Sequence, residues 1–417
     1  MEGSVGGLQQ LPDSIVYCTQ LRDLTIERQP QLDANDIFEK AARLKKLTYV
    51  KITESNVSRL PDIDWKTVNW QTLVLNQNLL TELPVGILDA PSLQTVAVSQ
   101  NRLPEPLNRD FHDKEMMLVS FVETGTLPME RLPKPSRKVA VAYQQLSMQK
   151  AQQRDWTGTL ADLDKAVDYA PDTTRALAYG QRASFHFFRK EYPEALADYD
   201  KAITFSPQLR KDKFSDSSAT KRTITSFWQQ KGAILGITGQ YDAALTALTQ
   251  AESLLPGSDN TPLSGLVHTE RGRYLALKNK FAEADSSYSK AIRAYEKLPY
   301  ADPGTKLTVV ELSLLTGQYD RAQRAITNLP ADQLRNGRGF DLLKEYLGSC
   351  LTVLKGEQES TKVMERLTDY LSKHPTKIFG WSFDLFDNWL TRSKLPPDKI
   401  TALRQLTDAT KERLIKP

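Results

Sequence analysis

Four histidines, His112, His186, His268 and His374, and two cysteines, Cys18 and Cys350, are the side chains best suited to metal or nucleophilic chemistry. None stands at metal-ligand spacing from a second His, Cys, Asp or Glu, so neither a zinc site nor a Cys-x-x-Cys redox pair is expected. His-Glu-x-x-His, Gly-x-Ser-x-Gly, P-loop and Gly-x-Gly-x-x-Gly motifs are absent. The Gly-Gln-Tyr triplets at 239–241 and 317–319 are turn chemistry, because Gly permits a sharp bend. His186 and His268 fall on helical packing positions and are expected to be satisfied structural side chains. Both cysteines lie among apolar residues, where a free thiol packs as a small hydrophobe. Scattered carboxylates can still converge in space, so a glycosidase-type pair stays open. The expectation is a non-enzymatic chain with no cofactor and no metal.

The charge pattern narrows the partners. The chain has 417 residues and a formal net charge of +4, too small over that length to imply nucleic acid. Residues 1–126 carry roughly −5 and the remainder the compensating excess of Lys and Arg, a distribution read as solubility. The run at 208–223, QLRKDKFSDSSATKRT, reads as a helix end and solvated loop; its sharper alternative is a salt-sensitive contact for an acidic partner. No window has the roughly 18 continuous apolar residues of a membrane span. The N-terminus lacks the apolar core of a signal peptide, so the default compartment is the cytoplasm; removal of an upstream segment would instead imply export.

Whatever positions a site here is repetitive. From Leu21 to Leu103 the pattern L-x-x-L-x-L-x-x-N-x-L recurs about every 23 residues. Units start at Leu21 (with Leu24 and Ile26), Leu47 (Val50, Ile52, Val57), Trp70 (Leu73, Leu75, Asn78, Leu80) and Leu93 (Val96, Val98, Asn101, Leu103). A fifth unit is placed at Met116, Val119 and Phe121. The alternation within each unit predicts a short strand, apolar inward and polar outward. Pro after Leu11, Leu60 and Leu83 suits a return segment that needs no ladder donor. Asn78 and Asn101 stand where a buried amide would bond the turning backbone. The stretch resembles the leucine-rich repeat family, which implies a curved parallel sheet. It departs from the pattern in a Leu21 unit about three residues longer than its neighbours and in Ser55 and Thr124, which replace the Asn. Asp23, Thr25, Glu27, Tyr49, Lys51, Thr53, Thr72, Val74, Asn76, Thr95, Ala97 and Ser99 would face outward. Tyr49, Lys51, Val74 and Asn76 form a second candidate surface.

Residues 127–138, LPMERLPKPSRK, read as a Pro-rich semi-rigid connector. Beyond it the period becomes about 34–49 residues and the pattern helical. Small residues (Ala183, Gly232, Gly272) let paired helices approach, and an aromatic follows each turn (Trp156, Tyr192, Tyr241, Phe281, Tyr319) to plug the gap. Ala166, Ala202, Ala251 and Ala291 admit the next pair, and Pro171, Pro207, Pro256 and Pro299 end the second helix. These residues closely resemble the tetratricopeptide repeat, well over 139–300 and loosely over 301–375. The expected fold is therefore two solenoids: an α/β leucine-rich repeat arc with a parallel sheet over residues 1–126, and an all-α tetratricopeptide superhelix over 139–375. Residues 376–417 are expected to cap it, with Trp381, Leu385 and Trp389 on one helical face.

The tetratricopeptide resemblance implies a peptide-binding groove on the first helices. Carried over residue by residue, it comprises Gln144 and Met148, then Gln181, Ser184 and Phe188, then Gln229 and Ala233, then Glu270 and Arg273. A carboxylate clamp would need Lys and Asn where Gln144 and Met148 stand, so an acidic C-terminal peptide is not the expected ligand. The function expected is a scaffold or adaptor holding peptide segments of an unidentified protein partner. The alternative is a carbohydrate- or envelope-associated binding protein of an exported bacterial system.

Overall fold

The computed structural model describes residues 7–209, 217–255, 261–329, 339–374, 377–378 and 381–415. The chain divides into two compact units, Met1–Arg189 and Lys190–Pro417.

In the first unit each repeat contributes one short parallel strand: β1 (Asp23–Glu27), β2 (Tyr49–Thr53), β3 (Thr72–Val74) and β4 (Thr95–Ala97). Leu24, Val50, Leu73 and Val96 sit side by side in register and are buried, so a single apolar row runs under the sheet. The Asn side chains close the turns as their chemistry predicts. Asn78 Oδ1 accepts from the Ser55 and Val57 N–H groups at 3.0 and 3.2 Å, while its Nδ2 donates to the Ile52 and Leu75 carbonyls at 2.7 and 3.0 Å. Asn101 repeats this one turn later, accepting from Leu80 N–H at 3.0 Å and donating to Leu75 and Val98 carbonyls at 2.9 and 2.8 Å. Ser55, the substitute, does half the work: its Oγ accepts from Gln29 N–H and donates to Thr53 O. The extra length of the first unit is spent on α1 (Ala34–Ala42), N-capped by Asp33, where later turns return through short 3-10 segments at Trp65–Thr67 and Val85–Asp89.

Three expectations fail here. Met116, Val119 and Phe121 do not open a fifth parallel strand. A two-residue β5 (Asp110–Phe111) pairs antiparallel with β4, and α2 (Lys114–Glu123) follows. The side chain of Asp113 caps α2 by accepting from Glu115 N–H, and Met116, Met117, Val119, Phe121 and Val122 are buried all round it. Spacing of three and five fits either period; a cap ahead of a run apolar on every side decides for a buried helix. Cys18 is exposed rather than packed, because it follows the 3-10 turn Asp13–Tyr17 on its solvent side. Thr53 and Ala97 are buried where outward positions were expected.

The Pro-rich segment is pinned to the core. Leu132 is buried in the same apolar cluster that runs from Leu11 to Ala178, and Ser136 N–H bonds Tyr169 O at 2.8 Å. The unit is completed by α3 (Arg137–Gln152), α4 (Trp156–Tyr169) and α5 (Asp172–Phe188). The break between compact units falls after Arg189 rather than within 127–138.

The second unit is a succession of helical hairpins. After α6 (Tyr192–Leu209) come α7 (Ser217–Ile237) with α8 (Tyr241–Leu254), α9 (Pro262–Leu277) with α10 (Phe281–Glu296), and α11 (Pro303–Leu315) with α12 (Tyr319–Thr327). Then α13 (Phe340–Lys355) pairs with α14 (Ser360–Lys373), and α15 (Asp384–Leu390) and α16 (Pro397–Lys411) close the order. Gly232 and Gly272 are required by packing: a methyl there would meet Leu248 or the Tyr288 ring of the partner helix. Pro207 does not end its helix but sits inside the last turn of α6. Pro256, Pro375 and residues 210–216 of the basic run lie outside the described residues. The residues after the turns are half-buried or, for Phe281, exposed, so they shield the hairpin edge rather than fill its centre.

Candidate functional site

The nine groove positions separate by compact unit. In the first, Gln144 and Gln181 are half-buried and Ser184 is exposed, while Met148 and Phe188 are 57% and 65% exposed. Phe188 stands 5.5 Å from the Trp156 ring, and Phe185 is 6.4 Å from it. On the sheet, Tyr49, Lys51, Val74 and Asn76 are half-buried; Lys51 is paired with Glu27, and the Asn76 Oδ1 is buried without a hydrogen bond.

In the second unit the positions converge, though not as an open groove. Gln229 and Ala233 are buried against α9 instead of facing solvent. Gln229 Nε2 donates to both Glu270 carboxylate oxygens at 3.0 Å, and the Tyr274 hydroxyl donates to Ala233 O at 3.3 Å. The physical reason is a close approach of α7 to α9: Gly236 lies directly against the Tyr274 ring. Burial pushes the Glu270 carboxyl up to about 7, against the opposing pull of the Gln229 hydrogen bond and the Arg273 charge. Arg273 Nε is buried without an acceptor.

One member escaped the sequence reading. Glu311 on α11 is buried, and burial pushes its carboxyl up to about 8; Arg273 lowers it, and Asp384 and Asp387 on α15 raise it further. A signal existed. Ala233, Arg273 and Glu311 each precede by the same distance a residue of positive φ that turns the hairpin, namely Gly239, Asn279 and Gly317. Equivalent register places equivalent side chains on one side of successive helices.

The column offers an amide, a guanidinium and two carboxyls that carry protons near neutral pH. Such groups can donate and accept hydrogen bonds. Among the described residues no group of His, Cys, Asp and Glu could hold a metal ion. His268 is buried but its Nδ1 lacks a hydrogen bond, with Glu252 at 3.9 Å, so it is not the satisfied side chain expected; burial lowers its pKa. His374 stacks on Tyr370 with ring centres 3.9 Å apart. Cys350 is wholly buried, which pushes its thiol far above the range of a reactive thiolate. No helix among the described residues is long and apolar enough to cross a membrane.

No family model matches the chain, and no curated relative matches it in sequence. Solved structures that resemble it include the apo form of RapI, 12% identical, covering 72% of this chain and 86% of that one at a TM-score of 0.47. Pseudomonas aeruginosa pilF is 19% identical, covering 56% and 90% at 0.39. PilW, described as a widely conserved type IV pilus biogenesis factor, is 16% identical, covering 57% and 94% at 0.38. All three TM-scores fall below 0.5.

Proposed function

We propose that this chain is a non-enzymatic scaffold whose N-terminal coils are leucine-rich repeats and whose helical hairpins are tetratricopeptide repeats that hold peptide segments. Support for the first part is the Asn78–Asn101 ladder between parallel strands, the hydrogen-bonding job that position has in the repeat. The observation that carries the second is the column of Gln229, Glu270, Arg273 and Glu311 on successive first helices. The buried guanidinium Nε of Arg273 has no acceptor in the free chain, and a peptide carbonyl is the kind of group that would satisfy it. In the first unit Met148 and Phe188 are exposed apolar side chains of the kind that could anchor a peptide side chain.

A selection of random peptides on the intact chain tests this. Enriched peptides should lose at least about tenfold in affinity, about 1.4 kcal/mol, on Arg273→Ala or Phe188→Ala, with the thermal midpoint unchanged. Peptides indifferent to those substitutions and to Gln181→Ala would remove both surfaces. Selective binding on a glycan array, with no peptide enriched, would favour the carbohydrate alternative.

A further inference from the structure

The sheet of the first unit is finished on one side and open on the other. Past β4, the antiparallel β5 and then α2 close the downstream edge. Among the described residues nothing pairs with the upstream edge of β1. Parity decides which groups that edge presents. Arg28 N–H bonds Thr53 O at 3.1 Å and Tyr49 N–H bonds Arg22 O at 3.0 Å, so the even-numbered residues from Arg22 to Arg28 turn their backbone groups to β2. Backbone directions alternate along a strand, which turns the N–H and C=O of Asp23, Thr25 and Glu27 to the open side. Gln29 Nε2 donates to Glu27 O at 3.2 Å; the rest of that row has no partner among the described residues.

The open side is built to continue the ladder. Val57 and Leu60 stand 8 and 11 residues after Tyr49, the first residue of β2, and Leu80 and Leu83 the same distances after Thr72 of β3. Leu8 and Leu11 repeat that spacing as the return half of a coil whose strand position lies beside β1. A hydrogen bond fixes the register: Gln29 Oε1 accepts from Leu8 N–H at 2.5 Å, as Asn78 and Asn101 accept from Val57 and Leu80. Those two amides also donate to a carbonyl of the preceding coil, Ile52 or Leu75, and Gln29 has no such acceptor among the described hydrogen bonds. Leu8 stays 36% exposed, where Val57 and Leu80 are 3% and 0%. The segment holds its place without a strand. Asp33 N–H bonds Gln9 O at 2.7 Å, and Leu11 is tied to Asp36 and Lys40 of α1.

We propose that the upstream edge of β1 binds an extended segment of a partner protein as a parallel strand. Its inward side chains are apolar and lengthen the row of Leu24 and Ile26; its outward row carries Lys or Arg opposite Asp23. The parallel direction follows from continuity with the β1–β2–β3–β4 ladder, whose register the Gln29–Leu8 bond already extends upstream. The basic residue follows from charge. Lys51 pairs with Glu27, while Asp23 has no ion pair among the described residues. A second copy of this chain fits poorly. A two-fold axis through Thr25 places Asp23 opposite Glu27 on one face, and like charges directly opposed destabilise a strand pair. This surface is separate from the groove proposed above and does not depend on it.

The probe is an end-blocked synthetic peptide of residues 47–55, the stretch that contains β2, made with Tyr49→Lys or Tyr49→Glu and added to the full chain. In the register of the ladder its position 49 lies opposite Asp23. Amide exchange at Asp23, Thr25 and Glu27 should slow at least about tenfold, with Leu24 and Ile26 unchanged within about twofold. The Lys peptide should bind about threefold or more tighter than the Glu peptide, and Asp23→Lys should reverse that order. N-methylation of the peptide at Val50 or Ile52, whose N–H groups face β1 in this arrangement, should weaken binding at least about tenfold. The same change at Lys51, which faces away, should alter affinity less than about twofold. Thr25→Pro removes an N–H that β2 does not use and should abolish binding with the thermal midpoint little changed; if it does not fold, the methylated peptides still decide. The proposal is overturned by no binding at about 1 mM, by binding that survives Thr25→Pro, or by a Lys preference that survives Asp23→Lys. Indifference to the methylated position also overturns it, and the reverse methylation pattern means that the peptide replaces β2. So does slow exchange at Asp23, Thr25 and Glu27 before any peptide is added, the edge then being occupied by this chain or a second copy.

Discussion

Glu311 shows at the residue scale what burial costs. Its carboxyl faces Arg273 from α9, Asp384 and Asp387 from α15, and Tyr346 and Cys350 from α13. Its folded value of about 8 lies above the ordinary 4.5, so between those limits the native state keeps a proton that the unfolded chain has lost. Stability is therefore highest below pH 4.5 for this group and declines as pH rises toward 8, by at most about 1.4 kcal/mol per pH unit. Glu270, pushed up to about 7, adds the same sign over a shorter window. Glu311→Gln should flatten the fall in denaturation midpoint between pH 5 and 8, measured by urea titration at each pH. An unchanged slope would mean the carboxyl is ionised and solvated in the folded chain.

At the scale of elements, the strands and hairpins owe their shape to single side chains repeated at intervals. Asn78 makes five hydrogen bonds to backbone in two adjacent turns, whereas Ser55 makes two. Asn78→Ala leaves buried N–H and C=O groups unpaired and should cost about 3 kcal/mol by chemical denaturation. Ser55→Ala should cost about 1 kcal/mol. Equal losses would show that the amide does no more than the hydroxyl. The helical turns use a second device: Arg154, Lys190, Gly239, Asn279 and Gly317 all hold positive φ at the bend. Only Gly, and to a degree Asn, takes that conformation without steric cost, so Arg154→Gly should stabilise the first unit by about 1 kcal/mol in thermal melts.

Over the whole molecule, repeat architecture makes cohesion local: each hairpin or coil is buried mostly by its neighbour. The segment 127–138 tests how far that holds in the first unit. Leu132 is buried in the apolar cluster that joins the sheet, α2 and the α3–α4 hairpin. Leu132→Ala should destabilise the chain by about 2–4 kcal/mol, where an unpacked connector would give nearly zero.

How much of this was legible depended on the range of each interaction. The strands at Leu24, Val50, Leu73 and Val96, the Asn ladder and the bends at Gly239 and Gly317 all follow from spacing, because period and residue type encode packing against the adjacent repeat. The exposure of the expected groove positions was not legible. Gln229 and Ala233 occupy the expected helix side, yet the Gly236–Tyr274 contact brings α9 over them. Met116, Val119 and Phe121 carried a spacing common to both periods, and only the cap at Asp113 and burial on every side settled it. The reach of α15 to Ala276 left no local trace at all, since a bond across 116 residues has no period to announce it. Sequence alone determined the repeating elements because each is stabilised by its neighbour in the chain; tertiary structure decided which faces remain open, because that depends on what distant segments come to cover.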